Sequence, residues 1–127
     1  MQSLIGLWKL IEAHAFDEKG MELPPPLGPT PMGVVLFEAE RMIGVIGDGR
    51  AAMISEAAPR AFFSYAGSYV FDGDKLVTRV DGASSPEGFA DQVRRVTFQT
   101  PSRILVVPLS RVLNRSSGLQ LIWDRVS

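Results

Sequence analysis

The stretch from Phe62 to Asp81, FFSYAGSYVFDGDKLVTRVD, predicts a β-hairpin. Both of its arms are rich in aromatic and β-branched residues, which favour extended strands. Asp72-Gly73-Asp74 separates the arms, and an Asp-Gly pair supplies the positive φ angles that a tight hairpin turn requires. Gly67 interrupts the first arm, so we expect a bulge or a bend there. The stretch therefore indicates antiparallel pairing between strands that follow one another along the chain.

Similar short apolar pieces lie on both sides of this hairpin. Turn residues separate them, and they predict strands over residues 4–16, 34–37, 42–46, 89–100, 104–109 and 119–126. An alanine-rich segment over residues 50–61 predicts at most one or two helical turns, because Pro59 limits it. About eight consecutive antiparallel strands predict an all-β, up-and-down sheet that closes into a β-barrel, since closure removes the exposed edges. Such a barrel is nearly filled by side chains or holds one small ligand.

Prolines mark two departures from regular strands. Residues Leu23 to Pro31 hold five of the nine prolines, which indicates a loop across the barrel mouth. Pro108 lies inside a predicted strand and indicates an edge or a break in the pairing, because proline cannot donate a ladder hydrogen bond. An edge there, or the apolar segment from Ala51 to Ile54, would offer a contact for a homodimer.

The composition excludes several classes of protein. The 127 residues are 46% hydrophobic and predict one domain, residues 1–127, with a sizeable core. No apolar run reaches the length of a membrane helix, about 18 residues, and the net charge of -1 predicts no nucleic-acid or acidic-membrane partner. The chain has no cysteine and one histidine, so we expect no disulfide, metal or cofactor. The missing cysteines favour a cytoplasmic location.

Five stretches resemble the motifs of one family and occur in the expected order. They are Leu4 to Leu10 with its Gly-x-Trp element, Leu27 to Gly33, Tyr65 to Tyr69, Asp91 to Val96 and Leu121 to Val126. With these motifs, nearly the whole chain resembles the small bacterial and fungal lipocalin-like domain family. The resemblance implies a calycin-type barrel with a pocket and no named reaction. The family often has a histidine at the position of Thr78, so any role of that histidine is in doubt here.

Strand alternation predicts which polar side chains face the interior. On the first strand Glu12 and His14 share the parity of Trp8 and Leu10, so they either anchor a ligand or end the strand in solvent. Arg94 has the parity of core positions on its own strand. An inward arginine is costly unless it is paired, and it would bind a ligand carboxylate through two hydrogen bonds or form a structural bridge with Glu12.

The remaining candidates are aromatic or small polar side chains on the predicted inner face. Tyr65 and Tyr69 share one face, where a tyrosine hydroxyl either contacts a ligand or finds a partner within the core. Thr78 has the parity of Leu76 and is expected to line the cavity. The predicted ligand-binding residues are therefore Trp8, Glu12, His14, Tyr65, Tyr69, Thr78, Arg94 and Phe98. None is predicted to be catalytic or to bind a metal.

Three functional hypotheses remain at this point. The first is binding of a small hydrophobic or carboxylate-bearing molecule in the barrel interior. The second is an isomerase or cyclase that works by orienting its substrate, with Glu12, His14 or Arg94 moving protons, because no Gly-x-Ser-x-Gly nucleophile elbow is present. The third is a structural or interaction protein whose barrel is filled by side chains. The first hypothesis agrees best with the few polar groups available.

Overall fold

The computed structural model describes residues 2–53, 59–109 and 118–127. Its strands are β1 (Gly6–Ala15), β2 (Pro31–Phe37), β3 (Arg41–Asp48), β4 (Phe62–Phe71), β5 (Lys75–Ala83), β6 (Gln92–Thr100), β7 (Arg103–Pro108) and β8 (Leu119–Arg125). A single turn of 3-10 helix, Pro86–Phe89, precedes β6. Among the described residues no helix is long and apolar enough to span a bilayer. The all-β prediction is confirmed.

The eight strands form a closed barrel in which each strand pairs with its neighbours in sequence and β8 returns to β1. Every pairing is antiparallel, as in β4 and β5 of the hairpin that opened the sequence. This confirms the up-and-down barrel. The predicted edge at Pro108 is wrong, because β7 lies between β6 and β8. Pro108 ends β7 beyond Val106, the last residue that pairs with β8, so its missing N–H leaves that ladder intact.

Alternate side chains of the strands point into the barrel and form the core. The aromatic members include Trp8, Phe37, Phe63 and Trp123, and aliphatic residues of every strand except β4 fill the space between them. Leu27, which belongs to the proline-rich segment, is also almost completely buried in this core. The segment therefore covers one end of the barrel, as its position before β2 predicted.

The strand register shifts at three places, one of which lies between Phe98 and Thr100 in the pairing of β6 with β7. The bulge predicted at Gly67 is confirmed, since the pairing of β4 with β5 shifts between Ala66 and Gly67. A second bulge on β1, between Leu10 and Glu12, was not predicted. The extra residue reverses which side chains face inward, so Ala15 is buried and Glu12 is exposed. Of the two alternatives left open from the sequence, an end of the strand in solvent agrees with this exposure, and the shared inner face of Glu12 and His14 with Trp8 is wrong.

The chain termini close the end of the barrel opposite the proline-rich segment. The Trp8 ring is fully buried, and its Nε1 donates a hydrogen bond to the Leu4 carbonyl oxygen at 2.8 Å. The Arg125 guanidinium lies 4.3 Å from the centre of this ring, a favourable cation–π contact. Gly6 has a φ of 134°, and a side chain there would collide with the Ser127 carbonyl, which explains the glycine two residues before Trp8.

Loops cross the other end, where Asp48 holds them together. The Asp48 carboxylate is buried and accepts hydrogen bonds from the Arg50 guanidinium and from the Arg50 backbone N–H at 3.0 Å. These bonds lower the pKa of Asp48. Arg60 Nη1 donates to the carbonyl oxygens of Asp48 and Arg50. The helical turns predicted over 50–61 and the dimer contact predicted over 51–54 lie partly outside the described residues.

Candidate functional site

A cavity of about 40 Å³ lies inside the barrel, towards the end that the loops cross. Its wall is apolar except for Tyr65, Gln92 and Arg94. At roughly 15 Å³ for each water-sized centre, the space equals that of two or three water molecules. The interior is therefore mostly filled by side chains, and its few polar groups converge on one small volume.

Arg94 is the charged group of this cavity. Its side chain is only 5% exposed, and its place on β6 lies opposite Leu76 of β5 and Pro108 of β7. Nη1 donates a hydrogen bond to the Tyr65 hydroxyl at 2.6 Å, and Nη2 donates to the Thr78 hydroxyl. Nε is buried and has no hydrogen-bond partner in the described part of the chain. Two hydrogen bonds thus hold the guanidinium in place, but its Nε–H has no described acceptor.

The charge of Arg94 is also unpaired. In residues 2–53, 59–109 and 118–127 the ion pairs involve His14, Arg41, Arg50, Arg95 and Arg103, and none involves Arg94. Arginine does not lose its proton in proteins, and an uncompensated buried charge costs several kcal/mol. The wall of the cavity therefore contains a buried positive charge that no described carboxylate neutralises.

Tyr65 and Thr78 position the guanidinium. The Tyr65 ring lies over Gly44 of β3, which has no side chain to displace it, and stacks on Phe63 with ring centres 5.2 Å apart. Since the Tyr65 oxygen accepts the bond from Arg94, its own O–H remains a donor. Thr78 is fully buried and donates to the Met42 sulfur at 3.1 Å. Arg94, Tyr65 and Thr78 are thus brought together, as the sequence predicted for the inner face.

Sequence reasoning missed two residues of the site. Gln92 is buried on the inner face of β6, two positions before Arg94, and this spacing alone was enough to find it. The Met42 sulfur lies 3.9 Å from Arg94 Nη2 and contacts Thr78 as well. Met42 has the same parity as Ile46 on β3, but an apolar side chain gave no reason to expect a contact with a charge.

Of the predicted ligand-binding residues, Tyr65 and Arg94 line the cavity. Thr78 was expected to line it as well, but it is not part of the wall and bonds to Arg94 instead. Three aromatic residues of the predicted set lie away from the cavity. Trp8 and Phe98 pack edge to face at the end closed by the termini, with ring centres 6.2 Å apart. Tyr69 donates a hydrogen bond to the Glu38 carbonyl oxygen at 2.5 Å beside the turn between β2 and β3, and its ring packs against Phe37. Burial and the nearby Glu38 charge raise the pKa of Tyr69. These side chains belong to the core and the hairpin end.

Glu12 and His14 lie on the outside of β1. His14 Nε2 is 3.2 Å from the Glu12 carboxylate, and its Nδ1 is 3.2 Å from the carboxylate of Glu22 in the following loop. The structural bridge expected between Arg94 and Glu12 is therefore wrong, since Arg94 bonds to Tyr65 and Thr78 instead. The isomerase hypothesis loses two of its three proton-transfer groups. No three metal-ligating side chains cluster within the described ranges.

A comparison with protein families agrees with this architecture. A family model described as a lipocalin-like domain matches residues 5–126. No curated protein matches the chain. Among solved structures, the chain is similar to a redesigned beta barrel at 14% identity and a TM-score of 0.48, over 98% of this chain and 92% of that one. The family match runs from the start of β1 to the end of β8.

Proposed function

The chain belongs to the lipocalin-like domain family, and from that premise we propose that its barrel binds a small apolar molecule carrying a carboxylate. The observation that carries this proposal is the buried, unpaired guanidinium of Arg94. A carboxylate placed against Nε and one Nη would accept two parallel hydrogen bonds and neutralise the charge. The apolar wall around it, which includes Leu121 and Trp123, would enclose the rest of the molecule.

The size of the cavity limits the mode of binding. At about 40 Å³ the ligand-free cavity is smaller than a typical ligand pocket of about 300 Å³ or more. A ligand would therefore displace side chains as it enters. Met42 is unbranched and adapts readily to irregular spaces, and it lies beside Arg94. Gln92, at the loop end of β6, is a second long side chain able to swing away.

A filled barrel with a purely structural role is the second candidate, and the small cavity favours it. Under this hypothesis Arg94 only links β4 to β6 through Tyr65. This hypothesis leaves a buried charge without a counter-ion. Such a charge lowers the free energy of unfolding relative to an apolar side chain of the same volume. The unpaired charge therefore favours ligand binding over the filled barrel.

Matched pairs of small molecules test the proposal. We expect octanoate and benzoate to bind at least about 100-fold more tightly than octanol and benzyl alcohol, because two charge-assisted hydrogen bonds contribute about 3 kcal/mol. Isothermal titration calorimetry measures both sets, and the fluorescence of Trp123 in the cavity wall reports occupancy. Arg94→Met should abolish the preference for acids.

Arg95→Met is the matched control. Arg95 is the next residue on β6, its half-exposed side chain points outward, and it pairs with Asp74 at 3.2 Å. This variant should bind octanoate as the unmodified chain does. Equal binding of acids and alcohols, no binding of either acid, or equal losses in the two variants would each contradict the proposal.

A further inference from the structure

The strand register places apolar side chains side by side on the outside of β1 to β4. Leu36 lies between Leu7 and Ile43, and Val34 pairs with Val45 in the next row. In a third row Met32 and Phe62 lie on either side of Gly47. We call this surface the outer face, and its residues are Leu7, Met32, Val34, Leu36, Ile43, Val45 and Phe62.

The outer face is large for a surface exposed to water. Met32, Val34, Leu36, Ile43 and Phe62 are each between 37% and 52% exposed. At roughly 200 Å² for a fully exposed large apolar side chain, these five expose about 400 Å². A continuous apolar patch of about 300–600 Å² is the largest that a typical monomer shows, and such patches often mark an interaction site.

The opposite side of the barrel has a different exterior. There the outward positions of β5 and β6 include Lys75, Arg79 and Arg95, which are exposed and charged. An antiparallel strand with one solvated face alternates apolar and polar residues in this way. β2 (Pro31–Phe37) has no charged or polar side chain at all, the pattern of a strand covered on both faces. The inner face of β2 is covered by the core, and the outer face is not covered by any described residue.

We propose that the outer face is the contact between two copies of this chain. A closed barrel has no free strand edge, so two copies would associate through their faces. Every residue of the outer face is uncharged. Two charged residues border it: Lys9 of β1, which the strand register places beside Val34, and Arg41, which forms an ion pair with Asp81. A two-fold contact that keeps the two Lys9 side chains apart therefore places no like charges opposite each other. This two-fold arrangement is the commonest among oligomers.

The area predicts a weak, reversible dimer. Two outer faces, including Leu7 and Val45, would bury about 1,000 Å² in total, the lower limit for a specific interface. We therefore expect a dissociation constant of about 1–50 µM. The contact differs from both sites considered from the sequence, of which the one at Pro108 is excluded because β7 is not an edge strand. It does not depend on what the barrel binds.

Sedimentation velocity over about 1 to 200 µM tests the contact. The unmodified chain should change from the mass of one chain to twice that mass within this range. Val34→Thr combined with Ile43→Thr keeps β-branched side chains on the strands but adds hydroxyl groups to the face, and should weaken association at least about 30-fold. Ile43→Lys is a second, stronger variant, with an unpaired charge in the contact.

Val70→Thr is the control variant. Val70 of β4 is 71% exposed and lies outside the outer face. It should dimerise as the unmodified chain does, and near-ultraviolet circular dichroism should show native packing in all variants. A monomer of the unmodified chain at the highest concentration would overturn the proposal. So would unchanged association of the threonine double variant, which also decides the matter if Ile43→Lys does not fold.

Discussion

Two charged side chains are buried in the described part of this barrel, and their surroundings differ. Asp48 at the end of β3 is 3% exposed, and Arg50 pairs with it. Arg94 in the wall of the cavity is 5% exposed, and no described carboxylate pairs with it. The charge of Asp48 is thus neutralised within the chain, whereas no described carboxylate neutralises that of Arg94. The first arrangement stabilises the fold, and the second reduces its stability unless an anion supplies the missing charge.

The surroundings of Asp48 explain its structural role. Its carboxylate orders the turn after β3 through Arg50, and its backbone carbonyl accepts a hydrogen bond from Arg60 at 2.8 Å. Gly28 of the proline-rich segment lies directly against the carboxylate, and its φ of 74° favours glycine. Asp48 therefore links two loops, the proline-rich segment and the loop after β3, across the end of the barrel that they cover.

The largest expected effect comes from removing the paired charge. Asp48→Asn should lower the Tm by about 6 °C or more, because it breaks a buried ion pair and leaves Arg50 without its partner. Thermal circular dichroism measures this change. Asp124→Asn is the control, since Asp124 also pairs with an arginine, at 2.7 Å, but on the surface. The Tm of this variant should fall by about 2 °C or less. Equal losses would remove the distinction between a buried pair and a surface pair.

The next effect has the opposite sign. Arg94→Met should raise the Tm of the ligand-free barrel by about 3 °C, because an unpaired buried cation is replaced by an apolar side chain of similar length. Thr78 still has the Met42 sulfur as a hydrogen-bond partner in this variant. A fall in the Tm would mean that Arg94 stabilises the fold, which is what the filled-barrel hypothesis expects.

Acid titration separates the same two groups. Hydrogen bonds from Arg50 lower the pKa of Asp48 in the folded chain below its value in the unfolded chain. The stability from this carboxylate is therefore present above about pH 4 and is lost as the pH falls through the lower, folded pKa. Urea unfolding at several pH values should show that acid lowers the free energy of unfolding less in Asp48→Asn than in the unmodified chain.

Two controls complete the acid titration. Arg94→Met should keep the acid dependence of the unmodified chain, because arginine stays charged throughout this range. Part of the dependence should remain in Asp48→Asn, since hydrogen bonds also lower the pKa values of Asp72 and Asp124. If acid lowers the free energy of unfolding equally in Asp48→Asn and in the unmodified chain, the ion pair between Asp48 and Arg50 does not contribute to stability.

The sequence was most informative where a residue type has a single structural use. Asp-Gly at 72–73 predicted the turn after β4, and Gly67 predicted the bulge inside that strand. The inward position of Arg94 followed from strict alternation along β6. The bulge after Leu10 could not be predicted, because no glycine or proline marks it and its extra residue is absorbed by the pairing with β8. That one residue moved Glu12 and His14 out of the predicted site.

Asp48 shows a second limit of sequence reasoning. It lies between Gly47 and Gly49, beyond the strand predicted over residues 42–46, and nothing in this local pattern indicated that its carboxylate would be buried. Its burial depends on Arg50, on Arg60 from the other side of the loop and on Gly28, 20 positions earlier, which pattern alone does not bring together. The unpaired state of Arg94 likewise depends on which carboxylates the fold leaves out of reach, and Glu12 is one of them.

The last comparison is between the two tyrosines of β4. Tyr65→Phe removes the acceptor of Arg94 Nη1, and Tyr69→Phe removes the donor to the Glu38 carbonyl. Each should lower the free energy of unfolding by about 1 kcal/mol, the usual contribution of one hydrogen bond, as measured by urea unfolding. Only Tyr65→Phe should also weaken octanoate binding, by about 5-fold, because the freed guanidinium is no longer held at the cavity wall. Tyr69 lies at the hairpin end, so an equal loss of affinity in both variants would mean that the ligand is not anchored at Arg94.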